Sequence, residues 1–527
     1  MEKIEFKEDF KSRWFNLDSA PLQLNVNPIL TTFENDRICL NWKHHNIKNI
    51  DYLKEKNSID KITANYNDLN KTFENLLFTY KDVCFVGRDS MDQDKMMRSL
   101  AKRVITHILY SKKEIYRNNA KFKSQELSLR DQGFTKPRCL IILPYRYRMY
   151  QFFYQLTKFV ECISEDALIR FDDEYGSKIE DVNEYCEGNM NENFKMGISI
   201  FNKKLRPFSP FYKSDIIAVS PLGLRSMNDN SKEDEQFDFL SSIEMIICDD
   251  ILSLYMQNWM HFESCLNYCN LMPKNLNNCD FSRVKNIFLD NGSKSIRQLI
   301  MISNIEFAEL NSIFRSCSTN MFGNFKVVVK SSNNVDVPLN RINLDANMIF
   351  IKFGVENVKS LPNSRFEYFV STVLKQLQCS PNDQTLIFIP DYFDYVRIRN
   401  YFKKESISFA HLSEYTNKKR VLLTRQMFRK KRKRLLLVTE RLMFYKRLQL
   451  KGIMNVFFYQ LPLIPHIFTQ ICNIMKWKME KDLTSTVCKI STLWCKYDQI
   501  RLKNVCGPQL SNLLIQSDKE IHCMTNN

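Results

Sequence analysis

Glycine is scarce in this chain: there are 11 among 527 residues, and none is followed by lysine. A phosphate-cradling G-x-x-x-x-G-K-[ST] loop needs consecutive backbone amides around the phosphates and a lysine on the β and γ oxygens, so that motif is excluded. Paired C-x-x-C spacing is also missing, although cysteine itself numbers 16. The start, "MEKIEFKEDFKSRW", has no basic-then-apolar leader, so secretion is not expected and the cysteines read as reduced thiols. His261, Cys265 and Cys269 recur every four residues with Cys279 following. That spacing suits three ligands on one helical face or a core stripe, and the core stripe is favoured, with no metal expected. The charge-free run from Gly452 to Met475 contains Asn455, Gln460, Pro462, Pro465, His466, Gln470 and Asn473. Such polarity and so many helix breakers exclude a membrane span of about twenty apolar residues and favour a strand, a turn and a helix.

What is abundant is apolar and basic. An apolar fraction of 44% with 13% aromatics provides core for two to four domains, and 76 basic against 59 acidic residues gives +17, a balance that favours a polyanionic partner. The charge is segregated. Tyr401 to Leu450 holds 15 basic and 3 acidic residues, so 15 − 3 = +12 falls in fifty positions, whereas residues 161–190 hold 10 acidic and 2 basic residues, a local −8 that reads as a solvated insertion.

Short apolar runs recur between longer amphipathic stretches: "RCLIILP" (138–144), "MGISIF" (196–201), "SDIIAVSP" (214–221), "IEMIICDD" (243–250) and "RQLIMIS" (297–303). This is the pattern of a parallel sheet covered on both faces. After a polar stretch near 330–341 the pattern restarts with helix "SRFEYFVSTVLKQLQ", strand "TLIFIP", helix "DYFDYVRIRNYFKKE" and strands "RLLLVTE" and "IMNVFFYQLP". The expectation is an irregular N-terminal extension over 1–75, a first α/β domain over 76–335 with the acidic insertion 161–190, and a second, basic one over 336–527.

Two such domains in tandem, with an acidic strand end at Asp249 and Asp250, have the plan of helicases, in which ATP sits at the carboxyl ends of the strands. The chemistry fails in three places. The turn after "YKDVCFV" keeps only Gly87, and Asp89, Asp92 and Asp94 would repel phosphate. Asp249-Asp250 is followed by Ile251 and Leu252, leaving no glutamate to orient water. The segment "PHIFTQICNIMKWK", where second-lobe arginines should stabilise the γ-phosphate, contains none. The carboxylates read as a relic.

Laid end to end, "NNAKF", "RDQGFTKPRCLIILPYR", "FSPFYKSDIIAVSPLGLRS", "DFLSSIEMIICDD", "MQNWMHF", "TLIFIPDYFDYVRIRNYFKKESISFAHLSEYT", "LLLVTERLMFYKR" and "KGIMNVFFYQLPLIPHIFTQICNIM" resemble the digestive organ expansion factor family, also described as U three small nucleolar RNA-associated protein 25. The likeness runs in order over roughly residues 76 to 515. Members look like DEAD-box helicases that have lost their ATPase motifs. The resemblance implies two tandem RecA-like, helicase-type parallel-sheet domains in a non-catalytic nucleolar component of the small-subunit processome, needed for processing of precursor ribosomal RNA to 18S. It implies precursor rRNA, box C/D small nucleolar RNA and other processome proteins as partners, a nuclear and nucleolar location, and no cofactor, membrane or small-molecule substrate. The family's usual strand end looks like Asp-Gln-Ala-Asp, from which Asp249-Asp250-Ile251-Leu252 departs, and its long acidic N-terminal extension is short here. A divergent active helicase and a purely protein-interacting module are the competing readings.

Helicase-like lobes grip the RNA backbone through loops at strand ends. The candidate contacts are Ser220, Gly223 and Arg225 in "SPLGLR", Thr439 and Arg441 with Glu440 between them, and Arg397 and Arg399. A capping turn or a fold-stabilising ion pair is the bland alternative. The run "FRKKRKR" (428–434) holds Arg429, Lys430, Lys431, Arg432, Lys433 and Arg434, and reads as a nuclear address or a phosphate-binding edge. Helical spacing puts Phe393, Val396, Ile398 and Phe402 on a buried face and leaves Arg397 and Arg399 exposed. His411 is assigned no catalytic part.

Overall fold

In the computed structural model the described residues are 29–34, 38–44, 68–87, 91–124, 129–162, 164–176, 188–229, 237–276, 279–330, 337–343, 346–379, 384–446, 448, 450–475 and 488–525. The chain divides into two compact units, Met1–Lys330 and Ser331–Asn527.

The first unit carries strands β1 (Ile29–Glu34), β2 (Ile38–His44), β3 (Asp82–Val86), β4 (Cys139–Ile142), β5 (Lys195–Phe201), β6 (Lys204–Arg206), β7 (Ile216–Val219), β8 (Met245–Cys248), β9 (Gln298–Ser303) and β10 (Asn324–Val329) in one sheet, in the order β1-β2-β10-β3-β9-β8-β4-β7-β5-β6. From β10 to β7 the strands are parallel, and β5 and β6 close one side antiparallel. β3, β4, β7, β8 and β9 are buried along their whole length, as expected for strands covered on both faces. The "MGISIF" run is a strand as read, but an antiparallel one, and periodicity carries no information on direction.

Residues 29–34 and 38–44 depart from the irregular extension expected for 1–75: β1 pairs antiparallel with β2, and β2 joins the sheet antiparallel to β10. The cause is the alternation Ile38, Leu40, Trp42, three side chains buried within a segment otherwise rich in Asn and Lys. Trp42 also lies under the Lys81 ammonium, 4.6 Å from its ring centroid. Within the acidic stretch 161–190, the helix Glu165–Tyr175 is capped by Ser164 and packs Phe171 and Tyr175 inward; residues 177–187 lie outside the described residues.

The amino edge of this sheet holds a row of buried polar side chains at the strand starts. Asp82 accepts from the Leu299 amide at 2.7 Å and the Ser318 hydroxyl at 2.9 Å. Gln298 donates to the Leu77 and Lys81 carbonyls and accepts from Arg103. Glu244 binds Arg138 at 3.0 Å and His107 at 2.8 Å. Burial pushes the His107 imidazole down to about 4, so it sits neutral and donates to Glu244, whose carboxyl Arg138 and His107 hold well below the usual range against the upward pull of burial. These bonds tie the helix Gln93–Ser124 to the strands and satisfy groups that would otherwise be costly to bury.

The second unit has β11 (Ala346–Lys352), β12 (Thr385–Ile389), β13 (Phe409–Leu412), β14 (Leu435–Thr439), β15 (Asn455–Phe458), β16 (Cys488–Trp494) and β17 (Ile521–Thr525), ordered β13-β14-β12-β15-β16-β11-β17. All pairs are parallel except β11 with β17. Helices Tyr392–Lys404, Lys418–Arg429 and Pro465–Ile474 connect them, and the last, with β15, forms the strand and helix expected for the charge-free run 452–475. Among the described residues no helix is long and apolar enough to cross a membrane. Both units are therefore α/β, built on central parallel strands.

Candidate RNA interface and the altered nucleotide site

The site is built where parallel α/β sheets place ligands, at the carboxyl ends of the strands. At the end of β3, Gly87 takes φ +112°, and a Cβ there would stand 2.5 Å from Val329 Cβ on the neighbouring strand. Residues 88–90, including Asp89, lie outside the described residues. The helix that follows, from Gln93, has the amides that would face a phosphate. One is already taken: Asp92 Oδ1 accepts from the Lys95 amide at 3.2 Å, and that bond, with the Lys95 side chain, holds the Asp92 carboxyl below its ordinary range.

At the end of β8, Asp249 is buried and spent on protein contacts. Its Oδ2 meets Arg148 Nη2 at 2.8 Å and its Oδ1 accepts from the Asp250 amide at 2.9 Å. A guanidinium thus stands against the carboxylate that a magnesium ion would require. Arg148 comes from the helix Arg146–Thr157, where Gln151 also accepts from it at 2.7 Å. Asp250 adopts a left-handed conformation, φ +55°, at the entry to the helix Ile251–Asn267, and its carboxylate accepts from Ser253 at 2.9 Å.

The loop after β7 places its three candidate residues differently. Ser220 is fully buried; its hydroxyl accepts from the Gly223 and Phe194 amides and donates to the Phe194 carbonyl, capping the short helix Pro221–Arg225. Gly223 is required by close approach, since a Cβ would lie 2.0 Å from the Phe194 carbonyl oxygen. Arg225 alone of the three reaches solvent, and it donates to Tyr268 Oη at 3.0 Å. Ser220 and Gly223 therefore shape the loop that presents Arg225. Gly223→Ala is expected to cost roughly 1–3 kcal/mol, measured by urea unfolding, because the carbonyl it meets is fixed backbone.

In the second unit Thr439 is also buried and donates to Glu414 at 2.8 Å, while Glu440 accepts from the Ile464 amide at 2.8 Å and is pushed up by burial. Arg441, beside them, is half-buried. Arg397 is half-buried too, donating to Asn363 at 2.9 Å and stacking over Phe366 at 4.1 Å; Arg399 lies beside Asn400. The buried face expected for this helix is corrected at one position. Tyr395, Ile398 and Phe402 point inward, whereas Phe393 is 83% exposed, because it stands nine residues from Phe402, two and a half turns of about 3.6 residues, and so on the opposite face. The missed constellation is Arg365 with Asp498, a buried pair at 2.7 Å. Asp498 accepts further from Gln460 and the Cys495 amide, and Arg365 donates to the Tyr459 carbonyl. No local pattern announces it.

The basic run lies at the other edge. Arg429 ends the helix Lys418–Arg429 and Arg434 immediately precedes β14, so the run sits at the amino end of the strand whose carboxyl end is Thr439. Five residues of strand, roughly 17 Å, separate the two. Arg429, Lys430, Lys431 and Arg432 are exposed; Lys433 bonds Ser408 and Arg434 bonds the Leu377 carbonyl. The cysteines of "HFESCLNYC" belong to the core: Cys265 and Cys269 are buried, and Cys269 Sγ donates to the Cys265 carbonyl. His411 accepts from Tyr395 or donates to it, and meets Arg420 through its other nitrogen.

Two family models match this chain: "UTP25, NTP hydrolase-like domain" over residues 80–325 and "Utp25, C-terminal domain" over residues 338–524. The U3 small nucleolar RNA-associated protein 25 homolog of Xenopus tropicalis is 36% identical over 487 residues, 88% of this chain and 63% of that protein. The Homo sapiens homolog is 35% identical over 490 residues, 88% and 64%. The chain thus spans a little under two thirds of the length of these vertebrate relatives. U3 small nucleolar RNA-associated protein 25 of Schizosaccharomyces japonicus is 32% identical over 474 residues, 88% of this chain and 73% of that protein. Among solved structures, the yeast DEAD-box splicing factor Prp28 covers 85% of this chain and 84% of its own at 11% identity, with a TM-score of 0.28. With both units matched in order and relatives above 30% identity along most of its length, the chain belongs to the UTP25 family.

Proposed function

We propose that this protein is a non-catalytic ribosome-biogenesis factor of the nucleolus, a component of the small-subunit processome that holds RNA and protein together while precursor ribosomal RNA is processed to 18S. The family carries the assignment to U3 small nucleolar RNA-associated assemblies, since the relatives bear that name. Its partners in this reading are precursor rRNA, the box C/D guide RNA and other processome proteins. The observation that carries the non-catalytic part is the Arg148–Asp249 pair. An arginine already neutralises the carboxylate that should hold magnesium, no Gly-Lys exists for the phosphates, and Asp92 takes a helix-start amide. Phosphoryl transfer depends on those parts acting together. RNA is held instead by exposed or half-exposed cations: Arg225 and Arg441 beside the carboxyl ends of β7 and β14, with Ser220, Gly223 and Thr439 shaping their loops, Arg397 and Arg399 on the helix Tyr392–Lys404, and the exposed run Arg429–Arg432 adding phosphate contacts at the amino end of β14.

Depletion of the protein is expected to reduce 18S and accumulate unprocessed early precursor while sparing the large-subunit RNA, read by blotting of total RNA. An unchanged 18S level would sink the assignment. Purified protein is expected to hydrolyse no ATP with or without single-stranded RNA, and Asp249→Asn to leave that blank unchanged; RNA-stimulated turnover abolished by the substitution would favour an active helicase.

A further inference from the structure

A groove of about 940 Å³ opens on the first unit. It is lined where Arg138 leads into β4, where Asp215 leads into β7 and where the antiparallel β5 ends at Phe201. It therefore lies at the amino edge of the parallel strands, opposite Asp249 and Arg225, and is independent of the RNA contacts proposed above.

Its floor is ionic, with Lys112, Lys136 and Arg138 set against Asp215 and Glu244. Asp215 is buried, accepts from the Ile200 amide at 2.7 Å and from Lys112 at 2.6 Å, and has Lys136 at 3.8 Å. Arg138 is engaged by Glu244. The walls are aromatic and wet: Tyr116 is 68%, Phe201 60% and Tyr212 39% exposed. At the rim stand Arg206 and Lys213, both exposed and, among the described residues, without an ion-pair partner. Asp280, the second carboxylate of the lining, is turned to the Ser282 amide and hydroxyl.

Large aromatic side chains left in water around a concavity mark a binding surface, and the chemistry of this one selects its occupant. A single RNA strand brings a phosphate at every nucleotide and needs a track of unneutralised cations. Here the three inner cations share Asp215 and Glu244, so no continuous track of unneutralised charge runs through the groove, and two cations stand apart at the rim. We propose that the groove docks a linear segment of a partner protein in which bulky apolar side chains are flanked by carboxylates. The apolar side chains seat among Tyr116, Phe201 and Tyr212, and the carboxylates meet Arg206 and Lys213. Apolar anchors supply the burial and the rim charges fix the register.

The test replaces Tyr116 by the photoreactive p-benzoylphenylalanine in the full chain in cells, with the same substitution at Leu513, 65% exposed on the second unit, as the control position. Adducts are digested and sequenced. The expected adduct is a polypeptide segment with an excess of Asp and Glu around at least one bulky apolar residue. Its yield is expected to fall by about tenfold or more in Arg206→Glu/Lys213→Glu, as loss of rim charge complementarity requires, with unfolding of the double variant unchanged. A nucleotide adduct, a segment without acidic excess, a yield no greater than at Leu513, or a yield indifferent to the charge reversal would each overturn the proposal. Loss of the adduct in the double variant with 18S processing intact separates this surface from the function proposed above.

Discussion

Replacing Arg365 by alanine is expected to lower the stability of the second unit by about 3–5 kcal/mol, the usual consequence of stranding one member of a buried ion pair. The carboxylate left behind would be Asp498, itself buried, with Gln460 and the Cys495 amide as remaining donors. Those two bonds cannot replace a guanidinium at 2.7 Å. Urea unfolding followed through the fluorescence of Trp494, buried one residue before Cys495, reads the change. A loss under about 1 kcal/mol, the range of solvent-exposed pairs, would show that water reaches the pair. Arg365→Met with Asp498→Leu is expected to recover part of the loss, since removing both charges removes the stranded one. It should not recover all, because Asp498 also caps the turn at Cys495. The pH dependence has a definite sign. Burial pulls the Asp498 carboxyl upward, but Arg365 and the hydrogen bonds hold it below its ordinary range. Its contribution is therefore present above the unfolded carboxyl range, near 3.9, and is lost as pH falls through the depressed folded value. Between pH 5 and 8 this pair contributes no slope.

Neutralising the exposed part of the basic run, with Arg429, Lys430, Lys431 and Arg432 all replaced by serine, is expected to reduce affinity for single-stranded RNA by about a hundredfold at moderate salt. Each phosphate contact contributes about 0.7 to the slope of log affinity against log salt, so four contacts should lower that slope by roughly 3. Lys433 and Arg434 are left in place because they bond Ser408 and the Leu377 carbonyl and so support the start of β14. Fluorescence anisotropy over a salt series reads both quantities. An unchanged slope with loss of nuclear accumulation would make the run an address alone, and an unchanged slope with unchanged location would reduce it to a solvated helix end. Stability should barely move, since these four side chains are exposed.

The strands were legible because a strand covered on both faces leaves an unbroken apolar run, and β4, β7, β8, β9, β12 and β14 all fall within the runs read from sequence. Strand direction was not, since an apolar run is the same read in a parallel or an antiparallel pair, and β5 is antiparallel. The β1–β2 pair escaped because its signal is three alternating residues in a polar setting. Phe393 was misplaced because an apolar residue near the helix start was counted with the buried stripe although it lies half a revolution from Phe402. For the loops at the strand ends, sequence position located the turn but not which side chain faces out. Ser220 and Thr439 turn inward to satisfy backbone and carboxylate groups, and Arg225 remains exposed.

The sequence by itself determined that no G-x-x-x-x-G-K-[ST] loop is written here, because a motif built from adjacent residues is either present in order or missing, and it determined the tandem α/β plan, because burial imposes a local period. Only the tertiary structure decided what the surviving carboxylates do. Arg148 and Asp249 are 101 residues apart, and Arg365 and Asp498 are 133 apart. Pairings of that separation are fixed by how sheets and helices stack, a long-range consequence of the whole core that no window of sequence carries.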